Sequence, residues 1–198
     1  MSEKQENDPI LHHILIGNIR YDLNCENKTA IINSNALSEQ EEIIIPRSVT
    51  YESVEYIIIG IGDHAFDYSL YLKTFKFAPD SEVRIIESTA LSPFTEIISL
   101  PSSVTELQPY WCHYTPKLTK ISIDPKNPRY TVYDDKMIIG KTSLEQENFD
   151  VLIFYSRDAI KVTIPSFIKT IASSCFSGCE QLNEVEIPEN SELQTIEK

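Results

Sequence analysis

Short apolar pairs separated by one residue recur along the chain, each followed within one residue by a proline. They are Ile43-x-Ile45-Pro46, Phe75-x-Phe77-Ala78-Pro79, Ile98-x-Leu100-Pro101, Ile121-x-Ile123-Asp124-Pro125, Val162-x-Ile164-Pro165 and Val185-x-Ile187-Pro188. Alternation of this kind turns the outer two side chains to one face of a strand and the middle one to the other. Phe77 and Ile123 are accordingly expected in the core. Proline supplies no N–H, which suits the point where strand pairing ends. Successive prolines of the set lie 33, 22, 24, 40 and 23 residues apart. Three intervals cluster near 23, and the two long ones read as one unit plus an insertion.

The phase continues beyond each proline. An aliphatic residue follows at Val49, Val83, Val104, Ile168 and Leu193, and a second at Ile61, Ile86, Leu107, Ile171 and Ile196. From the second residue a hexad runs, as in Ile61-Gly62-Asp63-His64-Ala65-Phe66 and Ile171-Ala172-Ser173-Ser174-Cys175-Phe176. A unit this short cannot bury its apolar side alone, so neighbours must stack to make a continuous core. The expected fold is mainly β: a solenoid of short parallel strands, about 23 residues per repeat, with hairpin insertions.

Two insertions lengthen the pattern. Residues 51–59 include the strand-like Glu55-Tyr56-Ile57-Ile58-Ile59, and residues 127–155 include Tyr130–Tyr133, Met137–Ile139 and Val151–Tyr155. Asp134-Asp135 joins the first two of these, and Asp tolerates tight hairpin geometry. Ahead of the repeats, Gly17–Leu23 and Thr29–Asn33 read as a hairpin around Asn24–Asn27. The expected organisation is a disordered or loosely packed segment at 1–16, an N-terminal β-hairpin cap at 17–42 and a repeat array at 43–198. The array is expected to be open at its C-terminal end, where Ile196-Glu197-Lys198 begins a further hexad. A fragment of a longer array, or a partner over the open end, accounts for that ending.

The stretches Ile45-Pro46-Arg47-Ser48-Val49-Thr50, Leu100-Pro101-Ser102-Ser103-Val104-Thr105, Ile61-Gly62-Asp63-His64-Ala65-Phe66 and Cys175-Phe176-Ser177-Gly178-Cys179-Glu180-Gln181-Leu182 resemble the BspA-like leucine-rich repeat family. The resemblance runs from about residue 43 to 198. It implies a non-enzymatic protein-recognition module, a surface antigen or adhesin-like protein that engages host or matrix proteins. An intracellular scaffold built on the same fold is the alternative.

Charge narrows the partner class. With 17 basic and 30 acidic residues the net charge is −13, the wrong sign for a phosphate backbone, so nucleic acid is not expected. No apolar run is long enough to span a membrane as a helix. The N-terminus is acidic and His12 and His13 break the run from Ile10 to Ile16, unlike a standard secretory signal. The four cysteines, Cys25, Cys112, Cys175 and Cys179, form no C-x-x-C pair, so they read as buried thiols and no metal or other cofactor is expected. Family resemblance points to the cell surface, the missing signal and free thiols to the cytoplasm. In the surface case, Asn27-Lys28-Thr29 is a glycosylation acceptor.

Catalytic patterns fail on inspection. Gly140-Lys141-Thr142 ends like a phosphate-binding loop, but position 135 is Asp where a glycine is required, and a polar stretch follows instead of a helix. Cys112 and His113 are adjacent, which in extended chain turns them to opposite faces, a poor thiol–base dyad. No catalytic, cofactor or metal residues are assigned, and no enzymatic activity is expected. The candidate partner-binding face is the outward strand row Lys76, Ser99, Ser122, Thr163 and Glu186, with Lys120 and Glu184 two positions earlier in their strands. Small hydroxyls flanked by charges suit a polar, wet contact with a protein.

Overall fold

A computed structural model describes residues 9–35 and 39–197. The chain opens with an antiparallel meander of β1 (Ile10–Ile16), β2 (Ile19–Asn24) and β3 (Thr29–Asn35). β4 (Glu42–Ile45) follows, then an antiparallel pair, β5 (Ser48–Tyr51) and β6 (Val54–Ile61). β7 (Thr74–Phe77), β8 (Ile85–Ile86), β9 (Ile97–Leu100), β10 (Glu106–Leu107) and β11 (Lys120–Ile123) then alternate between two parallel stacks. The long insertion supplies β12 (Tyr130–Tyr133), β13 (Met137–Gly140) and β14 (Val151–Tyr155). β15 (Lys161–Thr163), β16 (Thr170–Ile171), β17 (Glu184–Glu186) and β18 (Thr195–Ile196) complete the described chain. Among the described residues there is no α-helix.

Parallel pairing follows the proline spacing. Thr74 pairs with Ile97, Ile97 with Lys120 and Lys161 with Glu184, each a step of 23 residues. Glu42 pairs with Thr74, a step of 32, because the β5–β6 hairpin lies between them. One sheet runs in the order β11-β9-β7-β4; the other runs β1-β2-β3-β6-β8-β10 with β5 on β6. Their inward side chains meet in one core, where Ile45, Phe75 and Ile98 of the first sheet share a cluster with Ile58, Ile61 and Ile86 of the second. Phe75 is fully buried and packs edge-on against Phe66 at 5.0 Å between ring centroids. Phe77 and Ile123, expected inside, are half-buried and pack against the margin of that core.

The long insertion separates two cores. Tyr130, Ile138 and Phe154 belong to the first cluster, whereas Met137, Ile139, Leu152 and Tyr155 belong to a second with Val162, Ile164, Ile168 and Ile171. β13 is buried along its whole length, which its unbroken apolar run reflects. It pairs with β12 and β14, and β14 continues in parallel into β16 and β18. The β12–β13 turn has Asp134 and Asp135 at φ 52° and 53°, the geometry of a two-residue type I′ hairpin.

The segment 1–16, expected to be loose, includes the ordered strand β1, while residues 1–8 lie outside the described residues. A bulge between Leu11 and Ile14 absorbs the two histidines, with His13 at φ 56°. Ile14 and Ile16 therefore still reach the core.

Candidate interaction surface

The parallel register sets the outward side chains of successive strands beside one another. Ser99 pairs directly with Ser122, and the Ser122 hydroxyl donates to Ser99 Oγ at 2.8 Å. On β15 and β17, Thr163 lies opposite Glu186 and donates from Oγ1 to its carboxylate at 3.1 Å. Lys161 lies opposite Glu184, and its Nζ is 2.7 Å from the Glu184 carboxylate and 3.7 Å from that of Glu186. The hydrogen bond and charge of Glu184 raise the Lys161 pKa. Lys76 reaches back to Glu42 on β4 at 2.8 Å. These pairs are exposed and screened by solvent, so together they order the face more than they stabilise the fold. Lys120 begins β11, exposed, opposite Ile97.

The row is broken where an unbroken one was expected. Lys76, Ser99, Ser122 and Lys120 lie on the four-stranded sheet, whereas Lys161, Thr163, Glu184 and Glu186 lie on a separate two-stranded sheet. The insertion occupies the chain between β11 and β15, and no pairing joins those two strands among the described residues. Beside the serine pair is a shallow hollow of about 280 Å³, floored by Phe77, Leu100 and Ile123 and edged by Pro79, Pro101 and Asp124. The half-buried Phe77 and Ile123 are thus part of the surface, a role that alternation alone does not signal.

Cys112, Cys175 and Cys179 converge on Arg157, which is 3 % exposed. Its guanidinium donates to Cys175 C=O at 2.6 Å, Tyr155 C=O at 3.2 Å and Cys112 Sγ at 3.2 Å, and it stacks 4.3 Å over Phe154. Burial raises the Cys112 pKa to about 11 against the opposing pull of Arg157, so the thiol stays protonated and unreactive. His113 instead bonds Ser177 through Nδ1 at 2.9 Å, away from that thiol's contacts. All four cysteines are free. Among the described residues no group of three or more His, Cys, Asp or Glu is placed to hold a metal ion. No helix among them is long and apolar enough to cross a membrane.

Short parallel strands stacked at one-unit register, with helices replaced by turns, define a mainly β leucine-rich repeat protein. The BspA type leucine rich repeat region matches residues 21–134 and 147–198 in six copies, and the chain belongs to that family. The interval between the two matches falls within the long insertion. Leucine-rich repeat proteins are typically protein-interaction modules. No curated protein matches the sequence. Among solved structures, a leucine rich cell surface protein of Faecalibacterium prausnitzii is similar at 17 % identity and a TM-score of 0.41, over 93 % of this chain and 76 % of that one. A leucine-rich repeat protein of Eubacterium ventriosum is similar at 14 % identity and a TM-score of 0.47, over 96 % and 62 %. The pneumococcal vaccine antigen PcpA is similar at 15 % identity and a TM-score of 0.40, over 94 % and 66 %.

Proposed function

We propose that the chain is a protein-recognition module of the surface-antigen or adhesin type. In this reading its units of about 23 residues form a solenoid, shielded on the N-terminal side by the β1–β3 meander. The binding surface is the outward strand face carrying Lys76, Ser99, Lys120 and Ser122 on one sheet and Lys161, Thr163, Glu184 and Glu186 on the other. The observation that carries it is the hollow beside the Ser99–Ser122 pair, where an apolar floor meets a hydroxyl rim. Such a floor with a polar margin is the makeup of a protein contact.

The test uses Ser122→Arg and Thr163→Arg, both at exposed positions that leave the core untouched. Binding to immobilised extracellular-matrix proteins is expected to weaken at least about tenfold with melting temperature unchanged. Unchanged binding by both variants rejects this face. The four free thiols favour a second reading, an intracellular scaffold. Labelling of intact, unpermeabilised cells separates the two: protease-sensitive surface signal supports the first, and signal only after permeabilisation supports the second.

A further inference from the structure

The insertion leaves a second feature where its strands approach β10 and β16. β10 ends one sheet and β14 joins another, and between them lies a cavity of about 250 Å³. Its apolar wall includes Leu107, Trp111, Val151 and Ile153, and its charged wall carries Arg129 and Lys141. Tyr130 pairs with Gly140, and just beyond them the Lys141 N–H donates to the Arg129 carbonyl at 3.1 Å. The two cations are therefore directly opposed across β12 and β13 and share a face. Like charges so placed repel and destabilise a strand pair.

Among the described residues no carboxylate relieves that repulsion. The Arg129 guanidinium lies 5.8 Å from the Tyr130 ring centroid and Lys141 Nζ 5.2 Å from that of Phe149, contacts that leave both charges uncompensated. The ion pairs of the described residues involve neither Arg129 nor Lys141, although the chain carries 30 acidic residues against 17 basic ones. Arg129 Nε is buried without a hydrogen-bond partner among the described residues. The carboxylate on the cavity wall, Glu197, is engaged by the Ser173 N–H at 3.1 Å and hydroxyl at 3.2 Å. Two cations and one carboxylate leave the wall one positive charge in excess, which a monoanion neutralises.

We propose that this cavity binds a small carboxylate. The carboxylate lies between Arg129 and Lys141, and an apolar body covers Leu107, Val151 and Ile153. Arg offers a planar fork matched to a carboxylate and Lys a point charge. A doubly charged phosphate overshoots the single excess charge and leaves the apolar wall bare. The volume, below the ~300–1,000 Å³ of most ligand pockets, suits a short acid and not a nucleotide. The carboxylate can belong to a free acid or to the C-terminus of a peptide, since both present the same group.

Trp111 is the chain's single tryptophan and lines the cavity, so its fluorescence reads occupancy directly. Titration of the intact chain with pentanoate is expected to give a saturable change with Kd in the millimolar range, about 1 mM. Pentanol and inorganic phosphate are expected to give none. Arg129→Gln and Lys141→Gln should each weaken pentanoate about tenfold or more. Lys141→Gln, which relieves the repulsion, should melt no lower than the parent, so its loss of binding is not a loss of fold. Tighter binding of N-acetyl-glycyl-valine than of pentanoate assigns the peptide terminus as the source, and the reverse order assigns a free acid. No saturable change with either carboxylate up to about 50 mM overturns the proposal. So does equal binding of pentanol, tighter binding of phosphate, or full binding by both glutamine variants.

Discussion

The Tyr130 hydroxyl closes the edge of β10: it accepts from the Leu107 N–H at 3.1 Å and donates to the Thr105 carbonyl at 3.3 Å. In the preceding unit the equivalent edge is satisfied by backbone, with the Gln108 N–H on Ile86 C=O and the Thr105 N–H on Arg84 C=O. A side chain from the insertion therefore does for β10 what the next repeat does elsewhere. Burial raises the Tyr130 pKa, which keeps the phenol in the protonated form this double role requires. Tyr130→Phe keeps the ring and strips both bonds, with an expected loss of about 1–3 kcal/mol. Amide exchange should accelerate at Leu107 well before the rest of the sheet. Unaltered protection there would show that water or backbone already serves the edge.

Arg157 holds the two cores together from within. Its backbone N–H donates to Leu118 C=O, while its guanidinium bonds carbonyls of Tyr155 and Cys175 and the thiol of Cys112. Arg157→Met retains an unbranched apolar stem but removes the guanidinium from both carbonyls, leaving Cys175 C=O with the Tyr155 N–H at 3.2 Å. The expected cost is about 2–4 kcal/mol, or roughly 10 °C in Tm. Arg157→Lys should recover little of it, because one ammonium cannot span three acceptors in a plane. Recovery of the parent Tm by the lysine variant would show that charge alone matters at this position.

How much of this was legible in the chain depends on the range of the contacts. The proline-terminated alternation gives the parallel strands and their 23-residue register because that signal is local and repeated. The Asp134-Asp135 turn is legible from turn chemistry. The β5–β6 hairpin is harder, since Glu52 and Ser53 adopt φ 47° and 64° without the usual Asn or Gly. Alternation also places Phe77 inside by analogy with Phe75, yet inward direction does not make burial, and Phe77 sits where the core meets the hollow. The break in the polar face and the Arg129–Lys141 cavity are illegible, because both arise from where the insertion packs and not from what it contains. The same holds for Arg157, whose partners come from 18 and 45 residues away.

The thiols predict an alkaline limit. Burial raises Cys112 from 9.0 to about 11 and Cys175 well above its ordinary value. The folded chain therefore keeps these protons at pH values where the unfolded chain releases them. Their contribution is whole below about pH 9, declines as pH rises and is gone past the folded values. For Cys112 the two-unit window corresponds to at most about 3 kcal/mol. Urea midpoints measured between pH 8 and pH 11 should fall, and Cys112→Ala should flatten part of the decline. In the native protein at pH 8, iodoacetamide should leave Cys112 and Cys175 unmodified, with both alkylated once urea unfolds the chain. Rapid native alkylation of either would mean that the Arg157 nest opens readily.

At the acid end the sensitive group is Asp22. Burial pulls its carboxyl upward, but three donors outweigh that: the His13 N–H at 2.8 Å, His12 Nδ1 at 3.2 Å and Asn33 Nδ2 at 3.0 Å. The balance holds Asp22 below its ordinary value of 3.8. A carboxyl depressed in the folded state stabilises fully above its unfolded value and loses that contribution as pH falls through the folded one. The loss should be local, because these bonds pin the bulge at His12 and His13 that lets Ile14 and Ile16 reach the core. Asp22→Asn retains an acceptor for the His13 N–H but carries no charge to answer His12. At pH 6 the variant should melt below the parent, and the gap should close as pH drops below about 4. Amide exchange at His13 should rise over the same interval in the parent alone. If the two proteins stay equally far apart from pH 6 to pH 3, the acid response belongs to other carboxylates and Asp22 serves only as a hydrogen-bond acceptor.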